Sequence, residues 1–361
     1  MKELQIRGRL PGIQLGRAVA AASVFYWHAP MTLTYFDKSA LRQWDWWWRY
    51  GASGVDLFFA ISGFIVCYVA AGPSFTPANF LAKRFFRIYP ANALATLLLV
   101  GLFASGIHIA NDVSWEHVVR SILIIPQHNP VNSVGWTLEF EIAFYLVSAA
   151  LLPLGGPLLL LAYCLAAFAA GLWLDPQISL VARFINEHYG DFAAGVAGYI
   201  ALSMLPPVPP SWRWPVSVAL VAAGLGLFEL GHHVPTGYLT PVACGVAVVG
   251  LALLPWAPRF VVALGDMSYG FYLYHYALLG FATWLAYHLA PNKSFGELWR
   301  WEVFAHVWLL AWLSWILIEQ PILRWANPRI NRWFRKTVTA PERNQPIASS
   351  SVQACPVTSV P

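Results

Sequence analysis

Residues 16–28 read GRAVAAASVFYWH. The segment is apolar except at its two ends, where Arg17 and His28 stand eleven residues apart. Eleven helical steps of about 100° come to about 20° beyond three full turns, so both side chains leave one helix face, separated by about 16 Å along the axis. Ionisable groups at membrane depth are costly and usually serve function. The plainer alternative is an arginine reaching back to the headgroups and a histidine satisfied by one hydrogen bond. The shared stripe favours function.

Composition places this stretch in a membrane protein. Of 361 residues, 58% are hydrophobic, 11% are charged and 19 are Trp. An ordinary soluble domain carries about 25% charged residues. The net charge of +5 is therefore read through topology rather than as nucleic-acid affinity. Cys67, Cys164, Cys244 and Cys355 show no CxxC pair, and the first three read as small core residues in apolar runs. The basic start followed by an apolar run invites comparison with a signal peptide. Arg17 and the bulky FYWH ending make a poor cleavage site, so the run reads as a retained first span.

A spanning helix needs roughly 20 mostly apolar residues. Ten spans are expected, at 13–32, 52–72, 86–108, 136–154, 156–174, 190–206, 214–231, 238–256, 261–290 and 302–320. The run 117–126 is too short to cross and contains Arg120, which suits an interfacial or re-entrant segment. With ten spans both termini share a side. Fifteen Lys and Arg fall on that side against seven on the other, which puts both ends in the cytoplasm. No repeat period is evident, and no connection between spans offers room for a soluble domain. Residues 1–336 are expected to form one membrane domain. The Pro-, Ser- and Thr-rich stretch 337–361 is expected to be a disordered cytoplasmic tail.

Several polar groups fall in or beside these spans. In FLAKRFFRIYPA, at the entry to the third span, Arg84 and Arg87 share a helix face. Two guanidiniums on one face suit a phosphate-bearing ligand; an ordinary positive-inside anchor is the plainer reading. In NSVGWTLEFEIAFYLV, Glu139 and Glu141 are two apart and point to different sides of a helix, so at least one must face a polar interior. A cap at the helix start is the simpler role, more so for Glu139 than for the deeper Glu141. Asp56 fits a helix start, and Ser62-Gly63 permits close helix approach. Tyr272 and His275 are three apart on one face, and Glu319 precedes Pro321 near the end of the last span. The basic groups lie toward the cytoplasm, and His28, the glutamates and His275 lie deeper.

The chain resembles the membrane acyltransferase family 3, whose members O-acylate polysaccharides, lipopolysaccharides and other extracytoplasmic acceptors. The resemblance rests on the Arg17–His28 spacing, GVDLFFAISGF, KRFFRIYP, VGWTLEFEIAFY, LGDMSYGFYLYH and EQP, in that order over nearly all of the chain up to about residue 335. IQLGRAVAA, RIYP and VGWTLEFE look most like the exopolysaccharide acetyltransferase branch, typified by succinoglycan acetylation. The resemblance implies a bundle of ten helices in the bacterial inner membrane, acyl-CoA as cytoplasmic donor, and a glycan acceptor on the outer face or on a lipid carrier. It implies that Arg17 and His28 matter for activity, that Arg84 and Arg87 are the family's arginine pair, and that Glu141 is its glutamate before FY. Related branches often carry an uncharged residue where Glu139 stands, and the esterase-like domain of some members has no counterpart here.

On this reading His28 takes the proton of a sugar hydroxyl, since a neutral imidazole has suitable basicity near pH 7. Glu141 orients that imidazole as the acid does in a triad. Arg17, Arg84 and Arg87, with Lys83 beside them, hold the phosphates of the donor. Glu139, Tyr272, His275, Asp56 and Glu319 are candidate supporting or acceptor-side residues. Direct transfer and an acyl-histidine intermediate both fit these residues. No metal and no cofactor besides the acyl-CoA cosubstrate are expected, and nothing in the sequence assigns an oligomeric state. The competing readings are a transporter or flippase without covalent chemistry, and a structural or sensor protein. A transporter more often shows two-fold repeats and broken helices.

Overall fold

The computed structural model describes residues 8–33, 50–109, 113–174, 179–233, 239–289 and 297–334. The stretch 337–361, expected to be a tail, lies outside them. Every regular element among the described residues is a helix. In chain order the principal ones are α1 (Pro11–Leu33), α2 (Gly54–Ala70), α3 (Pro77–Ala104), α4 (Trp115–Leu123), α5 (Trp136–Trp173) and α6 (Tyr189–Met204). They continue with α7 (Pro210–His233), α8 (Leu239–Leu253), α9 (Arg259–Leu289), α10 (Glu297–Ser314) and α11 (Gln320–Trp333).

Five helical stretches among the described residues are long and apolar enough to cross a bilayer: Gly51–Ala70, Pro77–Ala104, Ser133–Trp173, Pro210–Gly231 and Leu298–Trp333. The outer surface suits lipid. Exposed tryptophans stand at helix ends: Trp115 opens α4, Trp173 closes α5, Trp212 starts α7 and Trp333 closes α11. Indole rings favour the headgroup level, so this arrangement marks a multi-pass membrane protein.

The helices α1 and α9 fall outside the five for a physical reason. Arg17 and His28 on α1, and Asp266, Ser268 and His275 on α9, lower their hydropathy, yet the two helices pair along their length. Gln14 abuts Gly265, Arg17 meets Ser268, Phe25 packs on Phe271 with ring centroids 6.0 Å apart, and His28 meets His275. All four pairs ascend together, so α1 and α9 run parallel. Each shows much of its polar surface to the other, so neither needs a lipid-like sequence all round.

The 38-residue helix α5 is broken at Gly156, whose φ of 63° and ψ of −161° are open to glycine. Arg183 binds Glu139 near the start of α5, while Asn186, three residues on, packs against Gly171 near its end. A straight helix would hold positions 139 and 171 about 48 Å apart. The chain therefore doubles back at Gly156, which gives the two separate runs expected at 136–154 and 156–174.

Lipid supplies no hydrophobic drive between helices, so close approach must. A Cβ on Gly63 of α2 would fall 2.2 Å from the Phe192 carbonyl oxygen, and one on Gly195 of α6 would fall 1.9 Å from that of Ala60. The expected role of Ser62-Gly63 thus has a partner, α6. Aromatic rings extend the contact, with Phe59 of α2 and Phe192 at 4.6 Å, and Phe144 of α5 stacks on the same Phe192 at 4.1 Å. Such pairs add about 0.5–1.5 kcal/mol beyond area burial.

Two ends differ from expectation. The helix α3 starts at Pro77, not near 86, because Thr76 caps it by accepting from the Asn79 amide at 3.2 Å and proline suits the first turn. Lys83 and Arg84, expected just ahead of the span, therefore sit about two turns inside the helix with Arg87. At the other end, Pro321 does not stop the chain. A π turn over Trp315–Glu319 intervenes, and proline opens the next helix where its missing N–H costs nothing.

Candidate active site

The ion-lined end of the α1–α9 pair opens into a cavity bounded by α1, α2, α3, α5 and α9. Arg17, Arg84, Arg87, Glu141, Ser62 and Tyr145 supply much of its polar lining. The three guanidiniums are held differently. Arg17 Nε donates to Ser268 Oγ at 3.3 Å. Arg87 donates to the Asp266 carbonyl at 3.0 Å, lies 3.9 Å from the Glu319 carboxylate, and covers the Trp315 ring at 5.1 Å. Arg84 lies over Tyr145 at 4.8 Å and Phe80 at 5.3 Å, and makes no ion pair among the described residues. Aromatic faces hold a cation in place without neutralising it.

A second, more open cavity shares Arg84 and Arg87 and is lined also by Lys83, Ser74, Asn79 and Asn327. The arginine pair stands between the two spaces. Three arginines face two carboxylates, Glu141 and Glu319, so the region keeps positive charge. Such a passage suits an elongated anion whose phosphates meet planar, bidentate donors.

Glu141 accepts hydrogen bonds from Tyr145 and, at 3.3 Å, from Ser62 Oγ. These contacts place it among the arginines rather than beside His28, the residue it was expected to orient. Glu139 points the other way, as expected from their spacing, but is no cap. It is buried, with Arg183 Nε donating to it at 2.6 Å and the guanidinium over Phe140 at 4.7 Å. Arg183 was legible only as a loop cation. Glu319, placed by the π turn, is buried against Arg87 and accepts from Ser314 Oγ at 3.3 Å.

Tyr272 bridges toward the far end of α1. Its ring lines the arginine cavity, while its hydroxyl meets Thr137 at 2.9 Å and donates to the Val134 carbonyl at 3.1 Å. Asn132 donates to the Leu273 carbonyl at 3.0 Å, so the loop before α5 is pinned to α9. One turn on, fully buried His275 lies with Nε2 3.2 Å from His28 Nδ1. His28 Nδ1 is also 3.0 Å from the Val24 carbonyl.

Asp56 begins α2 as expected but does more than start it. Its carboxylate, the Asp191 carboxylate and the His188 ring place one donor atom each within 4.8 Å of one another, and this is the group among the described residues whose donors could hold a metal ion. His188 Nδ1 lies 3.8 Å from Asp191 Oδ2. Neither His188 nor Asp191 was singled out in the sequence, although HYGD before an apolar run places both at a helix start.

Cations and imidazoles held inside a bundle of lipid-facing helices give this multi-pass membrane protein a polar interior of the kind an enzyme site needs. Comparison with known families makes the class specific: the acyltransferase domain model matches residues 10–319, and the chain belongs to that family of acyltransferases. Among curated relatives, the exopolysaccharide production protein ExoZ of Rhizobium meliloti (strain 1021) is 30% identical over 305 residues, covering 77% of this chain and 92% of the relative. Acyltransferase MdmB of Streptomyces mycarofaciens is 25% identical over 319 residues, covering 75% and 79%. Nodulation protein 10 of Rhizobium leguminosarum bv. viciae is 26% identical over 372 residues, covering 88% and 94%. No solved structure matches the chain.

Proposed function

We propose that this enzyme moves an acyl group, acetyl in the first instance, from acyl-CoA to a sugar hydroxyl of an extracytoplasmic or lipid-linked polysaccharide. The observation that carries the reading is the shared α1–α9 stripe: arginines lining a passage at one end, an imidazole pair at the other, joined through Tyr272. The name of the Rhizobium meliloti relative, an exopolysaccharide production protein, supports a glycan acceptor. In the proposed frame the chain crosses the bacterial inner membrane ten times with both ends cytoplasmic. The parallel run of α1 and α9 fits this frame, since the first and ninth of alternating spans point the same way.

Arg84 and Arg87, with Lys83 at the second cavity and Arg17 in the first, hold the donor's phosphates and direct its thioester inward. His28 takes the proton from the acceptor hydroxyl as its oxygen attacks the thioester carbon. The carbon–sulfur bond then breaks, and the departing thiolate receives that proton from His28. No external oxidant or metal enters this balance. Glu141 sets the cavity's charge and holds Ser62 and Tyr145 rather than serving His28.

The test is purified protein in lipid nanodiscs with radiolabelled acetyl-CoA and base-deacylated bacterial exopolysaccharides. Covalent transfer of label, lost in His28→Ala, is expected. A protein that carries glycan across vesicle membranes while no label is transferred would be a transporter, and the reading would fall.

A further inference from the structure

The histidine pair carries more than proximity, because the surrounding carbonyls fix its protons. His275 Nδ1 lies 2.5 Å from the Tyr272 carbonyl oxygen. A carbonyl oxygen can only accept, so this nitrogen bears the hydrogen, and the lone pair of neutral His275 is on Nε2. His28 Nδ1 lies 3.0 Å from the Val24 carbonyl oxygen and 3.2 Å from His275 Nε2. Both neighbours are acceptors, so His28 Nδ1 also bears the hydrogen, shared between them. The lone pair of neutral His28 is therefore on Nε2, the nitrogen turned away from its own helix.

Packing holds this arrangement. His275 is 0% exposed. Its ring is flanked by His28 at 5.1 Å and Tyr272 at 5.6 Å, and Tyr276 meets His28 edge-on at 5.9 Å. The backbone at Tyr272 that receives the His275 proton is itself pinned by the Tyr272 hydroxyl and by Asn132 on Leu273.

We propose that His275 is the positioning residue of the transfer: it accepts from His28 Nδ1–H, keeps the lone pair on His28 Nε2, and stabilises the imidazolium formed when that nitrogen takes the acceptor's proton. The inference rests on His28 being the base. A neutral imidazole fills the place a carboxylate holds in a serine-hydrolase triad. During the step the proton moves from the sugar hydroxyl to Nε2 and from there to the leaving thiolate. The Nδ1 proton stays on His28, and its bond to His275 strengthens while the ring is charged.

Three substitutions at His275 separate this role from packing. Glutamine can present an amide oxygen where Nε2 stood, whereas asparagine reaches only the Nδ1 position and leucine offers no acceptor. In nanodisc-purified full-length protein, with acetyl-CoA and deacylated exopolysaccharide, turnover should fall about 10- to 100-fold in His275→Leu and His275→Asn, the loss of a hydrogen bond to a charged group. The KM for acetyl-CoA should stay unchanged, and His275→Gln should recover most of the rate. Equal losses in all three, or a loss appearing in acetyl-CoA affinity, would overturn the proposal. A second measurement needs no variant. Nitrogen-15 NMR of histidine-labelled wild-type protein should show His28 protonated on Nδ1, and protonation on Nε2 at rest would overturn it. Full transfer by His28→Ala would instead remove the reading of His28 as base, whatever the tautomer.

Discussion

The two ends of the α1–α9 pair are built from opposite materials. At the Arg17 end the groups are ionic: three guanidiniums and two carboxylates share space with aromatic rings, and Arg84 keeps its charge without an ion pair among the described residues. At the His28 end the ring meets a second histidine, a tyrosine and a backbone carbonyl. A site that binds an anion needs uncompensated positive charge. A site that takes a proton needs a base that is neutral at rest. Placing the two about three turns apart on one helix lets each have its own electrostatics.

The comparison breaks most sharply at His28. His28→Ala should lower turnover about 100- to 10,000-fold, the usual contribution of a general base, while the protein inserts normally. Transfer at near wild-type rate would show that the neutral end carries no chemistry. The next largest effect belongs to the ionic end. Arg84→Ala or Arg87→Ala should weaken acetyl-CoA binding about 10- to 100-fold, and Arg→Lys should recover only part because a point charge cannot reproduce the fork. Full recovery by lysine would reduce the pair to a topology anchor.

Glu139 and Glu141 sharpen the contrast. Removing Glu139 strands a buried guanidinium, so Glu139→Gln should destabilise by about 3–5 kcal/mol, read as early thermal unfolding, with the folded enzyme active. Glu139→Leu combined with Arg183→Leu should restore much of that, since an apolar replacement of the whole pair is often neutral. The smallest effect is expected at Glu141. Glu141→Gln removes an anion from the donor cavity and should tighten acetyl-CoA binding by less than about tenfold, roughly 1.4 kcal/mol. Unchanged donor affinity with lost turnover would return Glu141 to a role beside His28.

What the sequence disclosed follows the range of the interaction. Helical arithmetic within one segment placed Arg17 and His28 on one stripe and turned Glu139 and Glu141 apart, and both hold in three dimensions. Apolar runs marked the helices, yet they missed the first turns of α3. Hydropathy falls at KRFFR, while Thr76-Pro77 signals the true start. Partners across the bundle were hidden. Nothing near Arg183 in sequence announces Glu139, 44 residues away, and nothing near His28 announces His275, 247 residues away. The assignment of Glu141 to His28 erred for the same reason: position along the helix was legible, but not which side of its helix met which neighbour.

The division of labour is tested most directly by measuring acetyl-CoA dissociation constants and saturating turnover on His28→Ala and Arg84→Ala in parallel. The account predicts that His28→Ala binds acetyl-CoA like the wild type and transfers almost nothing, while Arg84→Ala binds weakly and regains most of its turnover at saturating donor. Lost donor binding in His28→Ala, or normal binding with lost turnover in Arg84→Ala, would contradict it.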